Sequence, residues 1–262
     1  MNSFDNLDYV ASHLERDLLR NIVLLKYLKA FPDSTSAHHI DDGDDSASLV
    51  LTEVEASFSD RRDYPWATLV ALISSDHPRL TGYLLDFVPE DVGIVFKLAT
   101  EADREAVAAR FPVEPSARFF SYSSKQCFNR QQGVRMTTEL DDTVLSVFED
   151  PGHVRTWLGP LLASGRAFIC VVDVDGALGS ICLAFESYGR IWEIGGVYTL
   201  ESLRGRGLAQ TAVRTALARL GELGFTPRYD VNAENAASVA LAQRLGLDRF
   251  MTLTHHLRRP SS

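Results

Sequence analysis

One stretch of this sequence holds most of the residues that could do chemistry. Arg204-Gly205-Arg206-Gly207-Leu208-Ala209 is a glycine turn carrying two cations. Strand-forming residues precede it: Ile191, Ile194, Val197 and Tyr198 suit a pleated, half-buried surface. A helical pattern follows, with Ala209, Ala212 or Val213, Ala216, Leu220 and Leu223 recurring at three- and four-residue steps. Strand, glycine turn and helix in that order aim backbone N–H groups and the positive end of a helix dipole at one point. Such a point suits an anionic phosphate. Two familiar phosphate loops do not fit. The P-loop needs four residues between its glycines and then Lys-Ser/Thr, which are absent. The dinucleotide fingerprint fails because Gln210 stands where a third small residue belongs. The connection from Thr199 to Arg204 also holds the glycines too far from the strand end.

A third pattern fits better. Arg204-x-x-Gly207-x-Ala209 resembles the [Gln/Arg]-x-x-Gly-x-[Gly/Ala] signature of the GNAT superfamily of N-acetyltransferases. Glu193, on the preceding strand, resembles the general base of histone-type members in its spacing from Arg204. Asn235-Ala236-Ala237-Ser238 resembles the Asn-x-x-[Ala/Ser] start of the family's next helix, and Leu245-Gly246-Leu247 the Leu-Gly-Phe that closes it. The resemblance covers residues 133–262.

The resemblance implies acyl transfer from acetyl-CoA, as co-substrate, to a primary amine on a small molecule or a peptide. Arg204, Gly205, Arg206, Gly207, Leu208, Ala209 and Gln210 would hold the pyrophosphate. Val197, Tyr198 and Thr199 would bond the pantetheine arm, with a backbone N–H near Val197 facing the thioester oxygen. Asn235 would complete the cofactor side. Glu193 or Asp230 would be the base; Asp230 stands where ribosomal-protein acetyltransferases carry a glutamate. Many members place a tyrosine near the CoA sulfur, but here that position is Ala242. Ser238, Tyr198 or water must then protonate the thiolate. A tyrosine at 242 is expected to be tolerated on the helix. The rival reading is an acyl-CoA-binding module without catalysis.

The 262 residues can bury a full core, and one large or two modest domains fit that length. At 45% hydrophobic and 23% charged the composition is ordinarily globular. The formal net charge of −9 disfavours a nucleic-acid partner. Cys127, Cys170 and Cys182 form neither an even disulfide set nor a metal-ligand spacing. The first residues lack a basic start and an apolar run. No run approaches a membrane span, so a cytoplasmic protein is expected. His38 and His39 beside the acidic run Asp41–Asp45 raise the question of a metal. No second ligand pair supports one, so the stretch reads as a solvated loop and no metal is expected. Of His255 and His256, alternation lets only one face a site, and both read as surface or core residues.

These residues need elements to position them. Residues 5–30 read as one helix ended by Pro32. Ser48–Val54, Trp66–Ile73, Gly82–Val88 and Ala117–Tyr122 read as strands. Thr100 reads as the N-cap of a helix reaching Phe111. The polar stretch Ser123–Gly133 is the candidate boundary, giving an N-terminal α/β domain over 1–128 and an acyltransferase domain over 129–262. In the second, Val134–Leu140 reads as a strand, Asp142–Glu149 and His153–Ala163 as helices, and Arg166–Val174 and Ala177–Phe185 as a hairpin turning at Asp175-Gly176. Arg228–Val231, the helix Ala236–Leu245 and a last strand, Asp248–Leu257, follow the organising unit. The expected fold class is α/β: a GNAT fold, a mixed twisted sheet flanked by helices, in the C-terminal half. The smaller domain before it could be a degenerate copy of the same fold, as in glycine N-acyltransferase-like members.

Overall fold

The computed structural model describes residues 2–260. The chain divides into two compact units. The first holds the chain up to Phe120, together with Asn232–Glu234 and the chain from Phe250 on. The second holds Ser121–Val231 and Asn235–Arg249. Residues 121–128 therefore group with the second unit, and the last strand of the sequence groups with the first. A single division at 128/129 places neither of these.

The first unit runs β1 (Asn2–Phe4), α1 (Leu7–Leu14), α2 (Ile22–Ala30), β2 (Thr35–Asp42), β3 (Asp45–Glu53), α3 (Phe58–Asp63), β4 (Leu69–Ser75), α4 (Pro78–Leu84), β5 (Ile94–Leu98), α5 (Glu101–Arg110) and β6 (Glu114–Ser123). β1 to β4 pair antiparallel in sequence order, and β4 pairs parallel with β5 through the α4 crossover. Leu49, Ala71 and Phe96 of the sheet pack against Leu80 and Leu84 of α4 and Val107 of α5.

Three expectations for this unit need correction, and one strand is unforeseen. The helix over 5–30 is two helices. A 3₁₀ turn, Glu15–Asp17, separates them, and the side chain of Asn21 donates to the carbonyl of Leu14 at 2.9 Å, fixing the bend. His38–Asp42 is part of β2 and not a solvated loop: His39 is 1% exposed, and His38 stacks on Phe87. Gly82–Val88 is not a strand. A helix already begins at Pro78, capped by His77, and its buried residues Leu80 and Leu84 keep a helical step. β5 carries no expectation at all, because each of its five residues is buried and no alternation marks it. It even buries Lys97, whose ammonium meets Asp60 at 2.6 Å. The Thr100 cap is as expected, its side chain accepting from the amide of Asp103.

The second unit runs β7 (Val134–Thr137), α6 (Asp142–Leu145), α7 (Pro151–Ala163), β8 (Ala167–Val174), β9 (Ala177–Tyr188), β10 (Ile191–Thr199), α8 (Leu208–Glu222), β11 (Thr226–Asn232) and α9 (Ala236–Arg244). The hairpin turns at Asp175-Gly176, with φ of 52° and 79°. β8, β9 and β10 pair antiparallel, and β10 pairs parallel with β11 through α8. Val144, Leu158, Ile169 and Leu183 form a core with α6 and α7. Ala212, Val213, Ala216 and Leu220 of α8 are fully buried, and α8 packs on β8, β9 and β10. The candidate boundary segment is irregular but tied to this unit. Arg130 pairs with Glu222, and the side chain of Gln126 donates to the carbonyl of Gly246 at 3.1 Å. β12 (Asp248–Arg258) ends the sequence of elements and pairs antiparallel with β5, from Thr254 opposite Leu98 to Arg258 opposite Ile94.

Along the sequence, β1 to β6 and β7 to β12 repeat one order: strand, two helices, three antiparallel strands, helix, parallel strand, helix, strand. α3 is the first unit's addition. The fold is thus a mixed α/β fold built twice, as the fold-class expectation has it.

Candidate active site

β10 is the strand that opens the site. It pairs with β11 only from Ile191 to Ile194, opposite Thr226 to Tyr229. Beyond Ile194 the two strands part. Against β9 the register of β10 slips between Gly195 and Tyr198. The extra residue is Gly196, at φ +55°. A Cβ there would stand 2.7 Å from the Leu183 side chain, so only glycine fits the bulge. Parting strands leave backbone groups without a sheet partner.

Val197, Tyr198 and Thr199 lie on this diverging stretch. A 3₁₀ turn over Glu201–Leu203 follows, then Gly205 and Gly207, both left-handed at φ +78° and +80°. Gly207 is the N-cap of the fifteen-residue α8 and supplies no side chain to cap it. The first N–H groups of α8 therefore remain open to a ligand, with the positive end of the helix dipole behind them. A cleft of about 580 Å³ lies here. Val197, Tyr198, Thr199, Arg204, Gly205, Gly207, Leu208, Ala209, Gln210, Asn235 and Ser238 all line it. Of the expected cofactor residues only Arg206, which is exposed, does not. Leu203, Ala237, Leu241 and Arg244 line it unforeseen. Leu241 and Arg244 could have been found by carrying the helical step of Ser238 forward one and two turns. Asn235 caps α9, its side chain accepting from the amide of Ser238 at 3.1 Å.

The two carboxylates proposed as bases lie elsewhere, on one buried cation. Arg228 is 2% exposed. One guanidinium nitrogen donates to Glu193 at 2.7 Å; the other meets Asp230 at 2.7 Å and the hydroxyl of Ser121 at 3.0 Å. Ser121 in turn donates to Asp230 at 2.6 Å. Arg228 Nε has no hydrogen-bond partner. Register puts Glu193 opposite both Arg228 and Phe185, and Phe185 packs edge-on against Trp157 of α7. Sequence reasoning missed Arg228, because a cation in a short strand reads as a surface residue.

Other groups follow from burial. Ala242 is fully buried, so it is not a helix-surface position that would accept a tyrosine. Burial pushes the hydroxyl of Tyr229 above its ordinary range, and a hydrogen bond with Ser238 partly offsets this. Burial also pushes the Cys170 thiol up to about 12 and Cys182 well up, so neither is a thiolate at neutral pH. His255 lies buried on β12 in the first unit, 2.7 Å from the hydroxyl of Tyr64, and His256 is buried on the same strand.

Among the described residues the first unit has no matching turn. Its β4-to-α4 connection is Asp76-His77. The Asp76 carboxylate accepts from the amide of Ser46 at 2.9 Å and from Arg20 at 2.7 Å. A fixed anion stands there where the second unit has open N–H groups.

Residues 134–247 match the sequence model of the acetyltransferase (GNAT) family. These residues are a GNAT-family domain. The solved structures with the same fold span both units. A GCN5-related N-acetyltransferase from Sphaerobacter thermophilus is 14% identical, with a TM-score of 0.61 over 92% of this chain and 86% of that one. A GNAT-family acetyltransferase from Colwellia psychrerythraea is 10% identical, with a TM-score of 0.61 over 99% and 100%. A tandem GNAT protein from the clavulanic acid biosynthesis pathway is 12% identical, with a TM-score of 0.52 over 100% and 99%. No curated protein matches the chain. The GNAT domain implies acyl-CoA-dependent acyl transfer. Among the described residues no helix is long and apolar enough to cross a membrane.

Proposed function

We propose that the GNAT domain transfers acetyl from acetyl-CoA to a primary amine on a small molecule or peptide. One observation carries the reading. The open N-terminus of α8, behind two left-handed glycines, faces a cleft that begins where β10 leaves β11. The pyrophosphate would take the α8 amides, with Arg204 adding charge at the rim. The pantetheine arm would lie along Val197–Thr199 and use the backbone groups that β11 leaves unpaired. A backbone N–H near Val197 would polarise the thioester carbonyl, and such a donor is typically worth about 10²–10³ in rate.

The amine nitrogen attacks the carbonyl carbon, the C–S bond breaks, and CoA leaves as thiolate. Glu193 is the favoured base, with Asp230 second. Arg228 fixes both carboxylates in place, and the amine proton would reach either one directly or through water. Ser238 lines the cleft, and its hydroxyl, Tyr198 or water would protonate the thiolate in place of the phenol missing at Ala242. The second reading, an acyl-CoA-binding module, draws support from the same Arg228 lock and from Ala242. Release of free thiol from acetyl-CoA across a panel of amines separates the two. Release with at least one amine supports transfer. CoA binding without release from any amine leaves the binding module.

A further inference from the structure

Away from the cleft, three side chains of the first unit converge without a part in acyl transfer. We propose that His13, His39 and Asp41 bind a single divalent transition-metal ion of the zinc, cobalt or nickel class. His13 lies near the end of α1. His39 and Asp41 stand two apart on β2, so alternation puts both on one face of the strand. Their ligand atoms all lie within 4.8 Å of one another. His39 Nε2 is 3.0 Å from Asp41 Oδ1, and His13 Nε2 is 3.9 Å from Asp41 Oδ2.

The other ring nitrogens decide what this cluster can hold. His13 Nδ1 is 3.0 Å from the carbonyl oxygen of Tyr9. A carbonyl only accepts, so Nδ1 carries a hydrogen, and Nε2 is the ring nitrogen turned toward the carboxylate. His39 Nδ1 is held by the hydroxyl of Ser48 at 2.8 Å, and the hydroxyl of Tyr9 donates to Asp41 Oδ2 at 3.1 Å. Rings anchored through Nδ1, with Nε2 turned to one carboxylate, resemble the surroundings of metal-bound histidine; the bound ion would replace the hydrogen bond between His39 Nε2 and Asp41.

Size and donor type agree. With zinc bonds of about 2.0–2.1 Å, tetrahedral ligand atoms stand about 3.3 Å apart. The His39–Asp41 separation already approximates this, and His13 closes the rest by a small rotation. Two imidazoles and one carboxylate suit zinc-class ions better than magnesium or calcium. The Asp41 side chain is 30% exposed, against 11% for His13 and 1% for His39. That opening gives a water access as fourth ligand. A bound ion would tie α1 to β2. The competing occupant is a proton shared by His13 and Asp41.

The test uses tag-free, chelator-treated full-length protein. Zinc chloride is titrated by calorimetry, and cobalt chloride by visible absorption. The expected result is one equivalent at micromolar affinity or tighter, with cobalt bands of low coordination number. His13→Gln, at a part-exposed position, should keep the fold by circular dichroism and weaken zinc binding by at least about tenfold. His39→Gln should do likewise where it folds. His38→Gln, on the opposite face of β2, should bind as wild type. No zinc binding by wild type, or undiminished binding by folded His13→Gln, overturns the proposal: in the first case the proton is the occupant, in the second the ion sits elsewhere.

Discussion

Gly207→Asp tests the cofactor side most directly. Gly207 sits at φ +80°, and a Cβ there meets nothing within 4 Å. The new side chain therefore enters open space, and its cost to folding is conformational. A left-handed non-glycine residue costs roughly 1–2 kcal/mol, and aspartate is among those that tolerate it best. Its cost to binding is larger. The carboxylate would stand at the mouth of α8, beside a pyrophosphate. Two unit charges 4 Å apart interact by about 1 kcal/mol in bulk water and about 4 kcal/mol near a protein surface. The turn is exposed, so about 2–4 kcal/mol is the appropriate range, a loss of roughly 30- to 1,000-fold in affinity. Gly207→Ala separates the two costs. It should lower stability by a similar conformational amount while leaving most of the CoA affinity. Calorimetry with CoA, beside urea melts of both variants, reads each quantity. A folded Gly207→Asp protein that binds CoA as tightly as wild type would refute the placement of the pyrophosphate.

Glu193→Gln is expected to lower kcat/KM by about 10²–10⁴-fold with CoA affinity unchanged, and Asp230→Asn by much less; steady-state kinetics showing the reverse order moves the base to β11. Ala242→Tyr should destabilise by about 1–3 kcal/mol, since the site is fully buried; an unchanged melting temperature contradicts that packing. CoA should bind once per chain, because Asp76 occupies the first unit's corresponding turn; a calorimetric stoichiometry of two would show otherwise. Burial, then the nearby Lys97 ammonium, holds His255 down to about 3. The unfolded chain takes up that proton near 6.5, so stability is full above this pH and falls below it by at most about 1.4 kcal/mol per pH unit. His255→Gln should flatten the dependence between pH 6.5 and 5 in urea melts, and a slope equal to wild type would show that His255 does not carry it.

The second unit was legible because its signals are local. Asp175-Gly176 turns the hairpin, Gly205 and Gly207 turn into α8, and Asn235 caps α9. Each is a backbone demand that few residue types meet, so type and spacing expose it. The first unit has fewer such punctuation marks. β5 is buried throughout, including Lys97, so it lacks the alternation that marks a half-buried strand. In α4 the apolar run Tyr83–Val88 looked strand-like, while the deciding cue, Pro78 after a capping His77, lay further back. The candidate site divides in the same way. Its phosphate turn is contiguous in sequence and could be read. The Glu193–Arg228–Asp230 triplet and the meeting of His13 with His39 join distant residues, and neither spacing nor composition reports which strands will lie side by side.

The placement of β12 has a consequence for how the chain becomes folded. Its residues Thr254–Arg258 pair with Leu98–Ile94, so the first unit takes its strand next to β5 from the far end of the sequence. As the chain leaves the ribosome, that unit waits through the synthesis of the whole GNAT domain with β5 open along one side. An uncovered strand edge is a template for wrong partners. The pairing also makes the two halves poor candidates for separate expression: a fragment cut at 128/129 would leave β5 permanently without its neighbour.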